Sequence, residues 1–171
     1  MNIQTIRPWL RAPLLGIFSM LAASIANPAN AETPPATERN RETIQRAFDA
    51  WAAGNGSPFD LLAEDARWTI TGNSVAAKTY PNREAFLREV IRPFNARMQQ
   101  GLKPRIRSLH ADGDTVIVFF DARGTARDGK PYLNTYAWFL DMRAGRIIRA
   151  SAFFDSIEFN DLWSRVPATT E

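Results

Sequence analysis

The sequence predicts an α+β domain in which helices from the first half of the chain lie on one face of a curved antiparallel sheet. Apolar residues recur at helical spacing in the first half of the chain, whereas the second half contains four alternating segments separated by short turns. Short turns leave no room for crossover helices, so consecutive strands of this kind pair antiparallel. Helices followed by a run of such strands indicate the α+β class.

Residues 1–31 have the composition of a secretion signal. Arg7 and Arg11 precede an apolar run at 14–26 that is too short to span a bilayer. The stretch Ala-Asn-Ala at 29–31 has the form of a signal-peptidase site. The alternative, a buried N-terminal helix, explains this order of features less well, and we expect a cleaved signal peptide.

The rest of the chain divides by composition into three parts. The proline-rich stretch at 32–37 predicts a flexible spacer. The periodic segments occupy 38–166 and predict a single domain, and residues 167–171 form a C-terminal tail.

Charge and cysteine content limit the partners and the location. Cleavage of the signal removes two of the 21 basic residues and none of the 18 acidic ones, which leaves a net charge of +1. A nearly neutral domain lacks the basic excess that nucleic acid requires, so no nucleic-acid partner is expected. The chain has no cysteine to carry a lipid anchor, so we expect no membrane insertion after cleavage. The predicted location is periplasmic or secreted.

Three helical segments are expected before the main run of strands. The first covers 38–53 and ends at a glycine, and a shorter one covers 57–63. Asn82 is expected to cap the third, at 82–98, and Pro93 should kink or divide it because proline removes a backbone donor.

Alternation and turn residues define the strands and the closing helix. The expected strands are 67–71, 104–110, 115–126, 131–142 and 146–154, with a loop from 72 to 81. The last helix is expected at 156–166, with Asp155 as its N-cap.

Three stretches carry a family resemblance. They are EDARWTITG (64–72), GTARDGKPYLNTYAWFLDMRAGRI (124–147) and AFFDSIEFNDLW (152–163). Together with the order of elements, they resemble SnoaL-like proteins of the nuclear transport factor 2-like superfamily, which are related to polyketide cyclases and ketosteroid isomerases. The resemblance covers 38–166 and implies a cystatin-like roll, in which a curved antiparallel sheet forms a cone closed by the N-terminal helices. This scaffold hosts enzymes, binding proteins and assembly domains alike.

The catalytic groups of two enzyme branches carry over only in part. Ketosteroid isomerases use a carboxylate base and two hydrogen-bond donors. The resemblance places these roles at Ile70 or Thr71, at Ala47 or Phe48, and at Tyr136. Only the donor role at Tyr136 is preserved, so this isomerase chemistry is not implied.

The epoxide-hydrolase branch activates water with an Asp–Arg–Asp arrangement that contains an Arg-x-Asp pair. Here the order is reversed, as Asp121-x-Arg123, and the second aspartate would fall near Ala152. That resemblance is also partial.

One face of the strand at 131–142 is amphipathic. Asn134, Tyr136 and Trp138 share this face, and such residues are typical of a cavity wall that fixes a ligand with a few polar groups. The alternative is a packed core in which the hydroxyl and amide are satisfied internally. The residues of the other face are expected to pack against helices, namely Leu133, Thr135, Ala137 and Phe139.

Asp121 and Arg123 share a face of the preceding strand with Phe119. They could form a salt bridge at the rim of the sheet. In an enzyme, Asp121 would instead be the base, with Tyr136 and Asn134 as donors to a developing oxyanion.

The sequence thus favours an exported domain that binds a small, largely hydrophobic molecule. The expected ligand contacts are Trp68, Phe119, Arg123 and Trp138. Two alternatives remain open, a cofactor-independent isomerase, cyclase or hydrolase, and a dimerisation module, and a homodimer is expected in any case. With no cysteine and His110 as the one histidine, no metal-ligand set is visible, and no phosphate-binding glycine loop occurs, so we expect neither metal nor cofactor.

Overall fold

The computed structural model describes residues 35–168, so the predicted signal peptide lies outside the described residues. The helices are α1 (Ala36–Ala53), α2 (Arg83–Phe86), α3 (Arg92–Asn95) and α4 (Ser156–Arg165). The strands are β1 (Leu62–Ile70), β2 (Thr79–Tyr80), β3 (Met98–Asp112), β4 (Thr115–Ala126), β5 (Pro131–Arg143) and β6 (Arg146–Phe154). Among these helices, none has the length and apolar character that crossing a membrane requires.

The strands form one curved, unclosed sheet in the order β2-β1-β6-β5-β4-β3. Strands β3 to β6 pair antiparallel in succession, as predicted. Strand β1 pairs with β6 in parallel, and the short β2 continues the sheet beyond it. The predicted α+β class is confirmed, with one parallel pairing that the succession of turns did not indicate.

Helix α1 begins at Ala36, slightly before the expected start at 38, and ends at Gly54. Gly54 has a φ of 80°, a conformation that residues with a side chain rarely adopt, and its N–H donates to the carbonyl of Trp51. Ile44 and Phe48 are buried on the inward side of this helix. The helical spacing of apolar residues therefore marked its packing face correctly.

The predicted helix at 57–63 is a single 3-10 turn, Pro58–Leu61. Ser57 and Asp60 close it through reciprocal side-chain to backbone hydrogen bonds. Leu62 starts β1 instead, where it pairs with β6 and is 2% exposed. The helical prediction was wrong for the end of this range because sheet pairing and burial outweigh local propensity.

Residues 83–95 form a segment that we name the lid segment. It consists of α2, a π-helical turn (Leu87–Ile91) and α3, and Asn82 caps its start as predicted. The N–H of Arg92 donates five residues back, which closes the wider π ring. Pro93 explains the wide turn, since a proline ring clashes with the carbonyl four residues before it.

Strand β3 runs from Met98 to Asp112, so the prediction of 104–110 was too short. Register shifts along its pairing with β4 interrupt the alternation by which strands are recognised. Gly124 of β4 lies close under β3, where a side chain would meet the carbonyl oxygen of Gln100 at 2.7 Å. Only a glycine fits this approach without a shift of the backbone.

The two faces of β4 and β5 have different environments. The inner-face residues of β5 are buried beneath aromatic side chains of α1 and the lid segment. The expectation that the other face packs against helices was wrong, because Leu133 is 58% and Phe139 40% exposed there. We call the side of the sheet that carries Asn134, Tyr136 and Trp138 the inner face. The side that carries Leu133 and Phe139 is the outer face.

Candidate functional site

A cavity of about 670 Å³ lies between the inner face of the sheet and the lid segment. Most of its wall is apolar. The aromatic residues of the wall are Trp51, Phe59, Trp68, Phe86, Phe94, Tyr136, Trp138, Phe154 and Phe159. The polar or charged side chains are fewer, namely Ser57, Asp60, Arg83, Asn95, Lys103 and the hydroxyl of Tyr136. Such a wall suits a largely apolar molecule held by a few polar contacts.

Two pairs of nearly parallel rings give the wall flat surfaces. Trp68 stacks on Phe86 with 4.4 Å between ring centroids and an angle of 11°. Trp138 stacks on Trp51 at 6.1 Å and 13°. Trp68 and Trp138, both expected from the sequence to contact a ligand, thus line the cavity.

Tyr136 brings a hydroxyl to this apolar wall. Its side chain is 7% exposed, and its ring stacks on Phe120 of β4 at 4.9 Å and 10°. The hydroxyl oxygen lies 3.2 Å from that of Tyr132, two positions further along the inner face. The strand alternation therefore predicted the face of Tyr136 correctly.

A chain of hydrogen bonds holds the Tyr136 hydroxyl in place. Asn134 Oδ1 accepts from the N–H of Asp155 at 2.9 Å, and Nδ2 donates to the Asp155 carbonyl and to the Tyr132 hydroxyl, each at 2.9 Å. Because a backbone N–H can only donate, the amide cannot be turned around. The Tyr132 oxygen therefore accepts from Asn134, and between Tyr132 and Tyr136 either hydroxyl can be the donor.

Burial keeps both hydroxyls protonated. Desolvation raises the pKa of Tyr136 well above its ordinary value, and the nearby Tyr132 hydroxyl adds to the shift. Desolvation also raises the pKa of Tyr132, against the opposing effect of its hydrogen bonds with Tyr136 and Asn134. At neutral pH, Tyr136 is therefore a hydrogen-bond donor and not a base.

Asn134 does not itself line the cavity. It was expected to donate directly to a ligand, but Tyr132 and Asp155 take both of its amide protons. It is also not among the described residues that line the cavity. Asn134 is therefore a positioning residue for the two tyrosines.

Asp121 lies on the outer face, away from Tyr136. Its carboxylate accepts from Arg107 Nε at 2.8 Å, from Arg105 at 3.4 Å and from the Thr135 hydroxyl at 2.9 Å. The hydrogen bond from Arg107, followed by that from Thr135, lowers the pKa of Asp121. A low-pKa carboxylate on the far side of the sheet does not reach a substrate in the cavity. Its position gives no support to a role as the base.

Phe119 and Arg123 lie on the same outer face as Asp121. Phe119 is 37% exposed, and Arg123 is exposed at the position opposite Lys103. A second depression of about 910 Å³ includes Asp121 and Arg123, and its wall is mostly polar or charged. The structure therefore does not bring Phe119 and Arg123 together with Trp68 and Trp138.

Asp60 is the one carboxylate among the described residues of the cavity wall. It belongs to the 3-10 turn, where Oδ2 accepts from the N–H of Ser57 at 3.0 Å. The side chain is exposed. Its carboxylate stabilises the turn.

Sequence reasoning missed two residues of the site. Tyr132 could have been found, since it lies four positions before Tyr136 and alternation places both on one face. Arg83 gave no such signal, because the placement of the lid segment over the sheet depends on tertiary packing.

Metal chemistry finds no support in the described part of the chain. No group of three or more histidine, aspartate or glutamate side chains there could hold a metal ion. His110 is exposed on β3.

The family model described as the SnoaL-like domain matches residues 44–150. No curated protein matches the sequence significantly. The matched range contains most of α1 and the sheet through the first half of β6, together with the lid segment, Asn134 and both cavity tyrosines.

Three solved structures illustrate the similarity of fold. Bal32a, from a soil-derived mobile gene cassette, is 23% identical with a TM-score of 0.60, and the match covers 74% of this chain and 98% of that one. A protein described as a SnoaL-like polyketide cyclase from Jannaschia sp. CCS1 is 20% identical (TM-score 0.58; 80% and 99% covered). TerC, co-crystallised with polyporic acid, is 20% identical (TM-score 0.57; 72% and 97% covered).

These similarities agree with the sheet order and the covering helices described above. The family model confirms the family that the sequence motifs indicated. The chain belongs to the SnoaL-like domain family within the nuclear transport factor 2-like superfamily.

Proposed function

We propose that this protein binds a small, largely apolar molecule whose hydrogen-bond acceptor, such as a carbonyl oxygen, meets the Tyr136 hydroxyl. The observation that carries the proposal is the buried Tyr136 hydroxyl, which the hydrogen-bond chain from Asn134 through Tyr132 holds in a largely apolar cavity wall. Such a hydroxyl favours a ligand that offers it an acceptor, because an unmatched buried hydroxyl is unfavourable.

The family supports either binding or catalysis of the isomerase or cyclase kind. TerC, a structure of similar fold, has been crystallised with polyporic acid, which supports a small molecule as the type of ligand. Binding is favoured over turnover because Asp121 lies on the outer face and Asp60 is engaged by Ser57. Isomerase, cyclase or hydrolase chemistry would need a base that reaches the cavity.

A matched pair of planar probes tests the proposal. 9-Fluorenone carries one carbonyl oxygen, and fluorene has almost the same shape without an acceptor. Titrations followed by tryptophan fluorescence should show tighter binding of 9-fluorenone to the native protein, since Trp51, Trp68 and Trp138 line the cavity. Tyr136→Phe should reduce that affinity roughly 3- to 10-fold and leave fluorene unchanged, as expected for one hydrogen bond.

Tyr80→Phe is the matched control. It also removes a buried hydroxyl, but that hydroxyl donates to the carbonyl of Ala76 at 2.8 Å and is not part of the cavity wall. Both probes should bind this variant as they bind the native protein. The proposal would be contradicted if the native protein bound the two probes with equal affinity and Tyr136→Phe left both affinities unchanged.

We also propose that the protein is exported with cleavage after residue 31. The support is the order of Arg7 and Arg11, the apolar run at 14–26 and the Ala-Asn-Ala stretch at 29–31. In a Gram-negative host, the periplasmic fraction should contain a protein whose intact mass begins at Glu32. A full-length mass in the cytoplasmic fraction would contradict export.

We further propose that the outer face pairs with a second copy of the chain. Phe119, Ala137 and Phe153 lie side by side on three neighbouring strands. Phe139 extends this strip, and its ring centroid lies 5.9 Å from that of Phe153. Phe119, Phe139 and Phe153 are each 37–43% exposed. The continuous apolar strip is the kind of surface that a protein partner covers.

Charges beside the strip favour self-association. Arg105 and Arg107 flank it at one end with Asp121, and the Asp141–Arg149 ion pair flanks it at the other. A second copy related by a two-fold axis can bring charges of opposite sign together. Sedimentation velocity should show a dimer that Phe139→Thr with Phe153→Thr dissociates.

The control for this experiment is Ile157→Thr on α4, which also removes an exposed apolar side chain, 79% exposed. This variant should remain dimeric. A native protein that is monomeric at micromolar concentration would contradict pairing through the outer face.

A further inference from the structure

The inward row of the lid segment contains one charged residue. Arg83, Phe86, Leu87 and Val90 follow one another at helical spacing, and all four line the cavity. An arginine in such an apolar row is unusual, because a charged group is stabilised by water or by a partner of opposite charge.

Arg83 forms no ion pair within 4 Å among the described residues, and it interacts with the charge of Glu84 only over a longer distance. Its Nε is buried without a hydrogen-bond acceptor. The nearby carboxylates are engaged elsewhere: Glu84 binds Arg92 at 2.7 Å and 3.0 Å, and Glu89 binds Lys78 at 2.6 Å and Arg88 at 2.8 Å. The chain thus supplies ion-pair partners to the neighbouring basic residues and leaves Arg83 without one.

The carboxylate of the cavity wall does not serve Arg83 either. Asp60 is the single carboxylate of the wall within the described chain, and it accepts from the N–H of Ser57 at 3.0 Å. Lys103 also lines the cavity, but it is exposed and lines the outer-face depression as well. A neutral ligand would leave the buried Nε of Arg83 without a counterpart.

We propose that the ligand of this cavity is an apolar organic acid whose anionic group binds Arg83 while its acceptor meets Tyr136. The assignment rests on the proposed function and adds the chemical class of the ligand. Arginine suits this role because its planar guanidinium can donate two parallel hydrogen bonds to a carboxylate. The aromatic walls then hold the body of the molecule between the two polar contacts.

The test compares 9-fluorenone with 9-fluorenone-2-carboxylate, which share the ring system and the carbonyl. The native protein should bind the carboxylate at least 10-fold more tightly at pH 7. Arg83→Met, which keeps the aliphatic stem, should remove this preference without weakening the neutral ketone. Arg83→Lys keeps the charge without the planar group, and should retain part of the preference.

Arg88→Met is the control on the same segment, since it removes a cation that is exposed and bound to Glu89. It should leave the preference intact, which separates a local contact from a change in net charge. Equal binding of the two ketones, or a preference that survives in Arg83→Met, would overturn the acid-group assignment alone. Failure of both ketones to bind would overturn the proposed function and this assignment together.

Discussion

Asn134 and Asp155 are joined by two hydrogen bonds of 2.9 Å, one from the Asn134 amide to the Asp155 carbonyl and one from the Asp155 N–H back to the amide oxygen. The pair links the inner face of β5 to the start of α4, where the Asp155 side chain caps the helix by accepting from Ile157 at 2.8 Å. One backbone unit thus sets the orientation of the amide, and the amide in turn donates to the Tyr132 hydroxyl.

Asn134→Asp should fix the direction of the hydrogen bond between Tyr132 and Tyr136. An ionised carboxylate cannot donate, so Tyr132 would donate to the new side chain and Tyr136 would donate to Tyr132. The cavity would lose its donor, and the affinity for 9-fluorenone should fall roughly 3- to 10-fold. Fluorescence titration of a folded sample, verified by circular dichroism, measures the change.

The double variant with Tyr136→Phe distinguishes this explanation from a general disturbance of the site. If both changes remove the same hydrogen bond, their effects on 9-fluorenone should not add. Additive losses, or an equal loss for fluorene, would show that Asn134 does not act through Tyr136.

The three tyrosines of the chain should all resist ionisation in the folded protein. Burial, with a smaller effect of Glu89, raises the pKa of Tyr80 to about 12, and burial raises those of Tyr132 and Tyr136. The folded state therefore keeps protons that the unfolded state loses near pH 10. This contribution to stability is fully present below pH 10 and is lost as the pH rises through the folded values.

Absorbance at 295 nm against pH measures this directly. The folded protein should show little tyrosinate at pH 11, whereas the protein in denaturant should titrate near pH 10. A folded sample in which a third of the signal appears with a midpoint near 10 would show that one of the hydroxyls is solvated.

Asp121→Asn should leave ligand binding unchanged, because Asp121 lies on the outer face. Its effect should appear in stability. The hydrogen bond from Arg107 lowers the pKa of Asp121 from its usual 3.8. The ionised carboxylate therefore stabilises the folded state above pH 3.8, and this contribution is lost as the pH falls through the lower pKa of the folded state.

Thermal melts of both proteins between pH 2 and pH 7 test this dependence. The native protein should be more stable at pH 7, and the difference should vanish in acid. Loss of 9-fluorenone binding in Asp121→Asn would instead place this carboxylate in the binding machinery.

Gly124→Ala should destabilise the fold by about 1–3 kcal/mol, as overpacking does. The added methyl group would meet the carbonyl oxygen of Gln100 and the Met98 methyl, each at 2.7 Å. Gly101→Ala on β3 is the control, because a methyl group there has open space around it. Chemical denaturation gives both values, and equal stabilities would show that β3 gives way at this crossing.

Strands β4 and β5 could be predicted closely because each buries every second residue along most of its length and lies between glycine-containing turns. Strand β3 could not, since its irregular pairing interrupts the alternation. The early part of β1 was mistaken for helix because its pairing with β6 is remote in sequence. Local pattern carries no information on such a partner.

The candidate site was predictable where it depends on one strand and not where it depends on register between strands. Alternation placed Tyr136 and Trp138 on a common face, and that face is the cavity wall. Asp121 pairs with Thr135, while its neighbour Phe120 pairs with Tyr136. Phe120 therefore lies on the inner face and the next residue, Asp121, on the outer face. The register between the strands decides which of the two neighbours shares a face with Tyr136.

The parallel pairing of β1 with β6 also bears on when the protein can fold. Strand β6 lies between β1 and β5, so β1 has only the two residues of β2 beside it until the last strand arrives. A chain emerging from the ribosome cannot complete this sheet before Arg146–Phe154 is available. The nascent sheet therefore stays incomplete until β6 is synthesised, and β1 reaches its main pairing only after every other strand has been made.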